Sequence, residues 1–459
     1  MKHTPFVLPA LLTLLLSVTA CEQYVDVAPS PTLVAADKVY SGDAAATSTL
    51  LGIYAQMNVS NAAFLGNGLI TMSAGMSADE LQYFPSTDLQ PFITNQLLSS
   101  TAQVGSLWSS GYQYLYYANA AIEGLTASTA LTASVKSRLL GEAKVIRAFS
   151  LFYLTNLYGD VPLVTSTNFQ VNATLGRAPQ ATVYQTLISD LIDAETLLPT
   201  TYATTGEKTR PNKWTATALL ARAYLYTRDW ANAEAKATSL ISTGGYTLTD
   251  DPNNVFLKNS TEAIWQLAPV VANVNTYVGA LSIPATSSNP LYYFTDDAPN
   301  AFDATDKRLA AWVRSYAYQG KTYNYPYKYK VKSNATVTEY LMMFRLAEQY
   351  LIRAEARAQQ GNIAGAVADL NVLRSRAGLA ALPTTLDKAA LLLAIEQERR
   401  VELIAEWGHR WFDLKRTNRA DAVLGAKKST WKATAALYPI PQSEGLANPN
   451  LTQNPGYVY

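Results

Sequence analysis

Two side chains on which enzymes and metal sites depend are almost missing: 459 residues contain one cysteine and two histidines. The lone Cys21 cannot form an internal disulfide or a cysteine-rich zinc site. His3 and His409 are too few for a multi-histidine metal centre, and only His409 could serve a serine or cysteine triad. Glu406-x-x-His409 has the spacing of half a di-iron site, but the chain has no second such pair. No phosphate-cradling glycine loop is present. Charge of one sign is also lacking: Lys plus Arg is 36 against 35 for Asp plus Glu. Nothing therefore draws nucleic acid or an anionic membrane. The N-terminal apolar run, Phe6 to Val18, falls short of the roughly 20 residues that span a bilayer. A carboxylate pair needs only two acids about 5 to 9.5 Å apart, so a glycoside hydrolase stays open as an alternative. Asp79, Glu80, Asp296 and Asp297 sit in suitable loop-like sequence, although nothing local separates their pKa values.

Apolar and aromatic residues are plentiful, with 49% hydrophobic residues and 29 tyrosines. Tyrosine joins a broad apolar face to a polar tip, and it serves ligand sites and helix packing alike. Residues 1–20 read as a signal peptide: a basic start, a short apolar core, then Leu16-Ser-Val-Thr-Ala directly before Cys21. That ending looks like a bacterial lipobox, which makes Cys21 the lipidation site. Residues 21–46, with Pro29 and Pro31, read as a lipidated tether, and 47–459 as a single domain.

The domain is expected to be mainly α. Apolar residues recur at helical spacing in about four tetratricopeptide-like pairs: 108–158, 183–226, 229–243 with 342–359, and 363–376 with 387–407. Leu220-Ala221-x-x-Tyr224 followed by Ala233 carries the small-and-large spacing of such repeats. A first helix is expected over 44–57. In the last block, the helix containing Met343, Leu346, Tyr350, Leu351 and Ala354 is broken at Gly361. Gly378 caps the next helix, and Thr384-x-x-Asp387 has capping-box spacing before the third. Glu398, Glu402 and Glu406 fall on one face at i, i+4 and i+8. Carboxylates stacked this way need neutralising, and Arg399, Arg400 and Arg410 are near in sequence, so a structural ion network is expected.

Two regions break the helical pattern and are read as long loop and short-strand insertions, 58–103 and 244–340. Loops this long in a globular chain are usually functional or disordered. Glu262 to Leu267 reads as a short strand. Tyr323, Tyr325, Tyr327 and Tyr329 alternate, so a strand would put all four on one side, most simply as a packed ladder. The aromatics in loop-like sequence are Tyr83, Phe84, Phe92, Tyr277, Tyr292 and Tyr293. These six are the candidate ligand-binding residues, should the two regions fold together.

Several stretches, in order, resemble the SusD/RagB family. They are the opening after Cys21 with Leu51-Gly-Ile-Tyr54, Glu142-Ala-Lys-Val-Ile-Arg-Ala-Phe149, Tyr325-Pro-Tyr-Lys-Tyr329, and Arg345-Leu-Ala-Glu-Gln-Tyr350. Asp369 to Gly378, Glu398 to Arg416, and the proline- and asparagine-rich tail from Leu437 to Tyr457 complete the set. The resemblance implies a nutrient-binding lipoprotein of the outer membrane, exposed at the cell surface. It would work without cofactor or metal, bind oligosaccharide or peptide, and partner a SusC-like TonB-dependent transporter. A tetratricopeptide scaffold that binds only protein is the other alternative. The matched motifs lie outside the two irregular regions, so no binding residue carries over from the family.

Overall fold

The computed structural model describes residues 39–59, 68–84 and 88–459. Cys21, the signal peptide and most of the tether lie outside the described residues. The chain is mainly helical, and its long helices pack one against the next in antiparallel pairs. In chain order they are α1 Asp43–Met57, α2 Leu69–Ser77, α3 Ala102–Ala127, α4 Ala133–Tyr158, α5 Gln180–Leu197 and α6 Lys213–Tyr226. There follow α7 Trp230–Thr243, α8 Leu346–Gln359, α9 Ile363–Arg376, α10 Lys388–Glu402 and α11 His409–Arg416. α3 packs on α4, α4 on α5, α5 on α6, α6 on α7, α7 on α8 and α8 on α9. The tetratricopeptide-like pairing read from the sequence is therefore present, including the pair that joins α7 to α8 across a hundred-residue interruption.

Helix α8 shows how residue spacing produces this stacking. Ala347, Leu351, Ala354 and Ala358 bury one stripe against α9 and α10. Ile352 and Ala356 bury a second stripe against Ala221, Leu225, Ala233 and Ala237 of α6 and α7. Alanine on both stripes lets neighbouring helices approach closely, while the leucines fill the remaining gaps. Asp229, Asn362 and Asp387 cap α7, α9 and α10 by accepting backbone N–H groups. Gly378 closes the turn after α9 at φ +77. Asp387 itself is the cap of α10, so Thr384 plays no part in a capping box.

Six short strands form three antiparallel two-stranded sheets: β1 Leu81–Tyr83 with β3 Tyr292–Phe294, β2 Ala263–Leu267 with β6 Leu341–Arg345, and β4 Val313–Tyr318 with β5 Lys321–Pro326. Three expectations are corrected by the strands and helices found. Met342 to Arg345 is a strand and not the start of a helix, because β2 pairs with it and stacks Trp265 on Phe344 at 5.9 Å. Region 58–103 is not irregular throughout: α2 lies inside it with Ile70 to Ser77 buried, and α3 starts at Ala102. The tyrosine ladder ends with β5 at Pro326, so Tyr327 and Tyr329 lie beyond the strand. The expected strand at Glu262 to Leu267 is present as β2, which starts at Ala263 and is buried along its whole length.

Helix α10 also ends earlier than expected, at Glu402. Ala405 and Trp407 then adopt left-handed backbone at φ +52 and +48, with Gly408 at +72. Such conformations cost a non-glycine residue roughly 1–2 kcal/mol, so packing must hold them. The Trp407 indole donates to Met342 O at 2.7 Å. A Cβ on Gly408 would lie 2.5 Å from the Ala74 side chain, so α2 can approach this turn only because residue 408 is glycine.

The turn carries Glu406 off the α10 face and into a buried ion network. Glu402 accepts from Arg308 at 2.6 Å and also from Arg345 and Arg376. Glu398 accepts from Arg308 at 2.6 Å, and Glu406 accepts from Arg345 and Lys328. The neutralising cations thus come from distant segments. Arg399 pairs instead with Asp413 at 2.8 Å, Arg410 with Glu396 at 3.3 Å, and Arg400 donates to Asp297 O at 3.3 Å. Burial pushes Glu402 toward protonation, but Arg376, Arg345 and Arg308 hold it well below the usual carboxylate range. The network locks β6, α9 and α10 together.

Candidate functional site

The two interrupted regions meet through three residues of backbone. Pairing of β1 with β3 sets Leu81 opposite Phe294, Gln82 opposite Tyr293 and Tyr83 opposite Tyr292. Phe84 N donates to Leu291 O at 3.0 Å, which extends the ladder by one rung. Side chains of a strand alternate between faces, so this register sorts the candidates. Leu81, Tyr83, Tyr292 and Phe294 take one face. Leu81 is 0%, Phe294 3% and Tyr292 7% exposed, so that face is core. Tyr83 stacks edge-on against Tyr292 with centroids 4.8 Å apart and is half-buried.

Gln82, Phe84 and Tyr293 take the other face and are all half-buried. There they meet the β4–β5 hairpin. Its two-residue turn, Gln319-Gly320, has φ +50 and +76, as a tight hairpin turn requires. Tyr316 faces Tyr323, Tyr318 faces Lys321 and Arg314 faces Tyr325, so these six share one side of the hairpin. The Tyr293 ring meets Tyr323 at 4.9 Å, and Phe84 meets Tyr323 at 5.9 Å and Tyr318 at 5.7 Å. Lys321 Nζ stands 5.0 Å over the Tyr323 ring. Burial, with Tyr323 and Asp296 nearby, raises the Tyr293 hydroxyl pKa, so it stays a neutral donor and acceptor. Tyr323 itself is buried, at 9% exposure, so the half-exposed aromatics are Phe84, Tyr293 and Tyr318, packed around it and flanked by Gln82 and Lys321.

Of the six candidates, four assemble here: Phe84 and Tyr293 on the outward face, with Tyr83 and Tyr292 directly behind. Phe92 is fully buried in the short helix Gln90–Ile93 and packs on Tyr438 at 5.5 Å. Tyr277 begins another short helix, Tyr277–Ser282, and lines a small recess with Asn58, Pro269 and Val274. Neither joins the face. Sequence reasoning missed Tyr318, Lys321 and Gln82 as neighbours of these rings. The Gln-Gly pair between two aromatic alternations was the available signal for the hairpin, and hence for Tyr318.

Two of the acids beside this face, Asp79 and Asp297, are engaged. Lys427 pairs with Asp79 at 2.6 Å and with Asp297, and the hydrogen bond from Lys427 lowers the Asp297 pKa. These groups border a recess of about 380 Å³ that also touches Gln82 and Thr295. Burial pushes the Glu80 carboxyl up to about 7, although Arg410 and Arg400 pull the other way. His409 is held well below the usual imidazole range by burial and by Arg222, Arg399, Arg345 and Lys328, so it is neutral. No group of three or more His, Cys, Asp or Glu side chains placed to hold a metal occurs among the described residues.

Stacked helix pairs whose insertions present a small strand-built aromatic face define a tetratricopeptide-like helical scaffold. Comparison with known proteins supplies the particular family. A model described as "SusD family" matches residues 286–457, and one described as "Starch-binding associating with outer membrane" matches 47–225. The chain is 23% identical to SusD-like protein P25 of Formosa agariphila, over 96% of both chains. A SusD superfamily protein from Bacteroides vulgatus superposes with a TM-score of 0.80 at 22% identity, covering 90% of this chain and 99% of that one. A laminarin binding SusD-like protein superposes at 0.77 and 24% identity, covering 91% and 100%. The chain belongs to the SusD/RagB family, a family associated with the outer membrane.

Proposed function

We propose that the chain is a cell-surface lipoprotein that binds nutrient oligomers, glycan foremost, and delivers them to a SusC-like TonB-dependent transporter of the outer membrane. Residues 1–20 would be removed as a signal peptide, and Cys21 would carry the acyl chains at the head of a tether. The observation that most supports a glycan is the outward face of Gln82, Phe84, Tyr293 and Tyr318, packed around the buried Tyr323. Sugar rings have apolar C–H faces that lie on aromatic rings, and polar edges that need groups such as Gln82 and Lys321. The protein named for laminarin binding, with its matching fold, points the same way.

The protein would act by binding and not by catalysis. Asp79 and Asp297 are tied to Lys427, and Glu398, Glu402 and Glu406 to arginine and lysine, which removes them from proton transfer. The test is incubation of the chain lacking residues 1–20 with neutral glucan oligosaccharides, followed by product analysis and native affinity electrophoresis. Retarded migration with intact oligosaccharide is expected. Release of shorter sugars would transfer the protein to the glycoside hydrolases.

A further inference from the structure

A recess of about 720 Å³ lies elsewhere, among α6, α7, α8, α10 and α11. It shares no lining residue with the aromatic face. That volume is within the range of sites for small ligands. One wall is apolar, made by Leu225, Trp230, Leu392, Leu393 and Ile395, and Leu393 is 54% exposed. The other wall is ionic, with four arginines, Arg228, Arg399, Arg416 and Arg419, against three carboxylates.

Those carboxylates are already engaged. Arg416 holds both oxygens of Glu355. Asp413 accepts from Arg416 through one oxygen and from Arg399 Nε through the other, both at 2.8 Å. Glu396 accepts from Arg410 at 3.3 Å and Arg419 at 3.0 Å. Arg399 is left incomplete. It is 2% exposed, yet its Nη1 and Nη2 have no hydrogen-bond partner. The Tyr226 hydroxyl, which feels the charges of the same Arg399, Arg416 and Asp413, is also buried without a partner. Buried polar groups are nearly always paired, and a guanidinium edge with free donors matches a carboxylate in plane and spacing.

We propose that this recess is a second binding site, which takes the carboxylate of a short peptide on Arg399 with an apolar side chain against Trp230 and Leu392. A uronic acid would bring a carboxylate too, but its hydroxyl rim would meet an apolar wall on one side and engaged carboxylates on the other. A peptide carboxyl next to an apolar residue satisfies both walls.

The probes are N-acetyl-Ala-Leu with a free carboxylate, the same peptide as its amide, and galacturonate, each titrated calorimetrically into the chain lacking residues 1–20. The acid should bind at least about tenfold more tightly than the amide, and galacturonate should bind more weakly than the acid. Arg399→Gln should remove the preference for acid over amide. Should that variant fold poorly by circular dichroism, Leu393→Asp keeps the question open. It puts a like charge at an exposed rim position and should weaken the acid about tenfold while leaving the fold intact. Equal binding of acid and amide, no heat from either, undiminished acid binding by Leu393→Asp, or galacturonate binding as tightly as the peptide would each overturn the assignment.

Discussion

Arg345 and Glu406 lie 61 residues apart and form a two-pronged buried ion pair, with Nε donating to Oε2 at 2.9 Å and Nη2 to Oε1 at 2.7 Å. Arg345 ends strand β6, and Glu406 sits in the left-handed turn after α10, so the pair joins the sheet to the helix stack. Glu402 lies beside it, shared by three arginines. Removing that carboxylate would leave three buried cations competing for fewer anions. Glu402→Ala is expected to cost roughly 3–5 kcal/mol of stability. Calorimetric melting reads the loss, and an unchanged melting temperature would show that the cations re-pair without it.

Stability should depend on pH through two opposed groups. Glu402, Glu406 and Asp413 have folded pKa values below the ordinary range. Their contribution is present above the unfolded carboxylate pKa and is lost as pH falls through the folded values. Glu80 behaves oppositely. Its folded pKa is about 7 against an ordinary 4.5, so the folded state holds a proton that the unfolded state releases. Its contribution is full below 4.5 and is lost as pH rises to 7. The span corresponds to at most about 3 kcal/mol. Glu80→Gln should therefore gain stability relative to the parent between pH 5 and pH 8, read from urea denaturation midpoints. A difference that does not change with pH would mean Glu80 titrates normally.

The helix pairs were legible because each buries a stripe that repeats every 3.6 residues, as Ala233, Ala237 and Leu240 do in α7. The strands were not, for two physical reasons. β1 and β3 have three residues each, too few for alternation to stand out from a loop. Met342 to Phe344 continues the apolar run of α8, and only pairing with β2, some eighty positions earlier, makes it extended. The glutamates of α10 were visible as a charged face. Their partners Arg308, Arg345 and Arg376 were not, since ion pairing across a fold leaves no local spacing. The same limit held at the candidate site: the aromatics could be named, but which of Tyr292 and Tyr293 faces outward follows only from the β1–β3 register.

Attachment to the membrane should rest on Cys21. Several acyl chains at about 0.8 kcal/mol per buried methylene give lasting anchorage where one chain does not. Cys21→Ala expressed with the full leader should appear in the soluble fraction without the lipid mass. Retention of that variant in the membrane fraction would show another anchor.

The most direct measurement of the proposed function compares two adjacent tyrosines by calorimetry with a neutral glucan oligosaccharide that binds the parent. Tyr293 contributes to the outward face, while Tyr292 is 7% exposed and packs inward. Tyr293→Ala should fold with nearly parental stability and lose about 30-fold in affinity, roughly 2 kcal/mol. Phe84→Ala should do the same, with binding in both cases only weakly sensitive to salt because the face carries little charge. Tyr292→Ala should instead lower the melting temperature, at a cost of about 3 kcal/mol for a truncated core aromatic. Parental glucan affinity in folded Tyr293→Ala and Phe84→Ala would contradict the account and place the ligand away from this face.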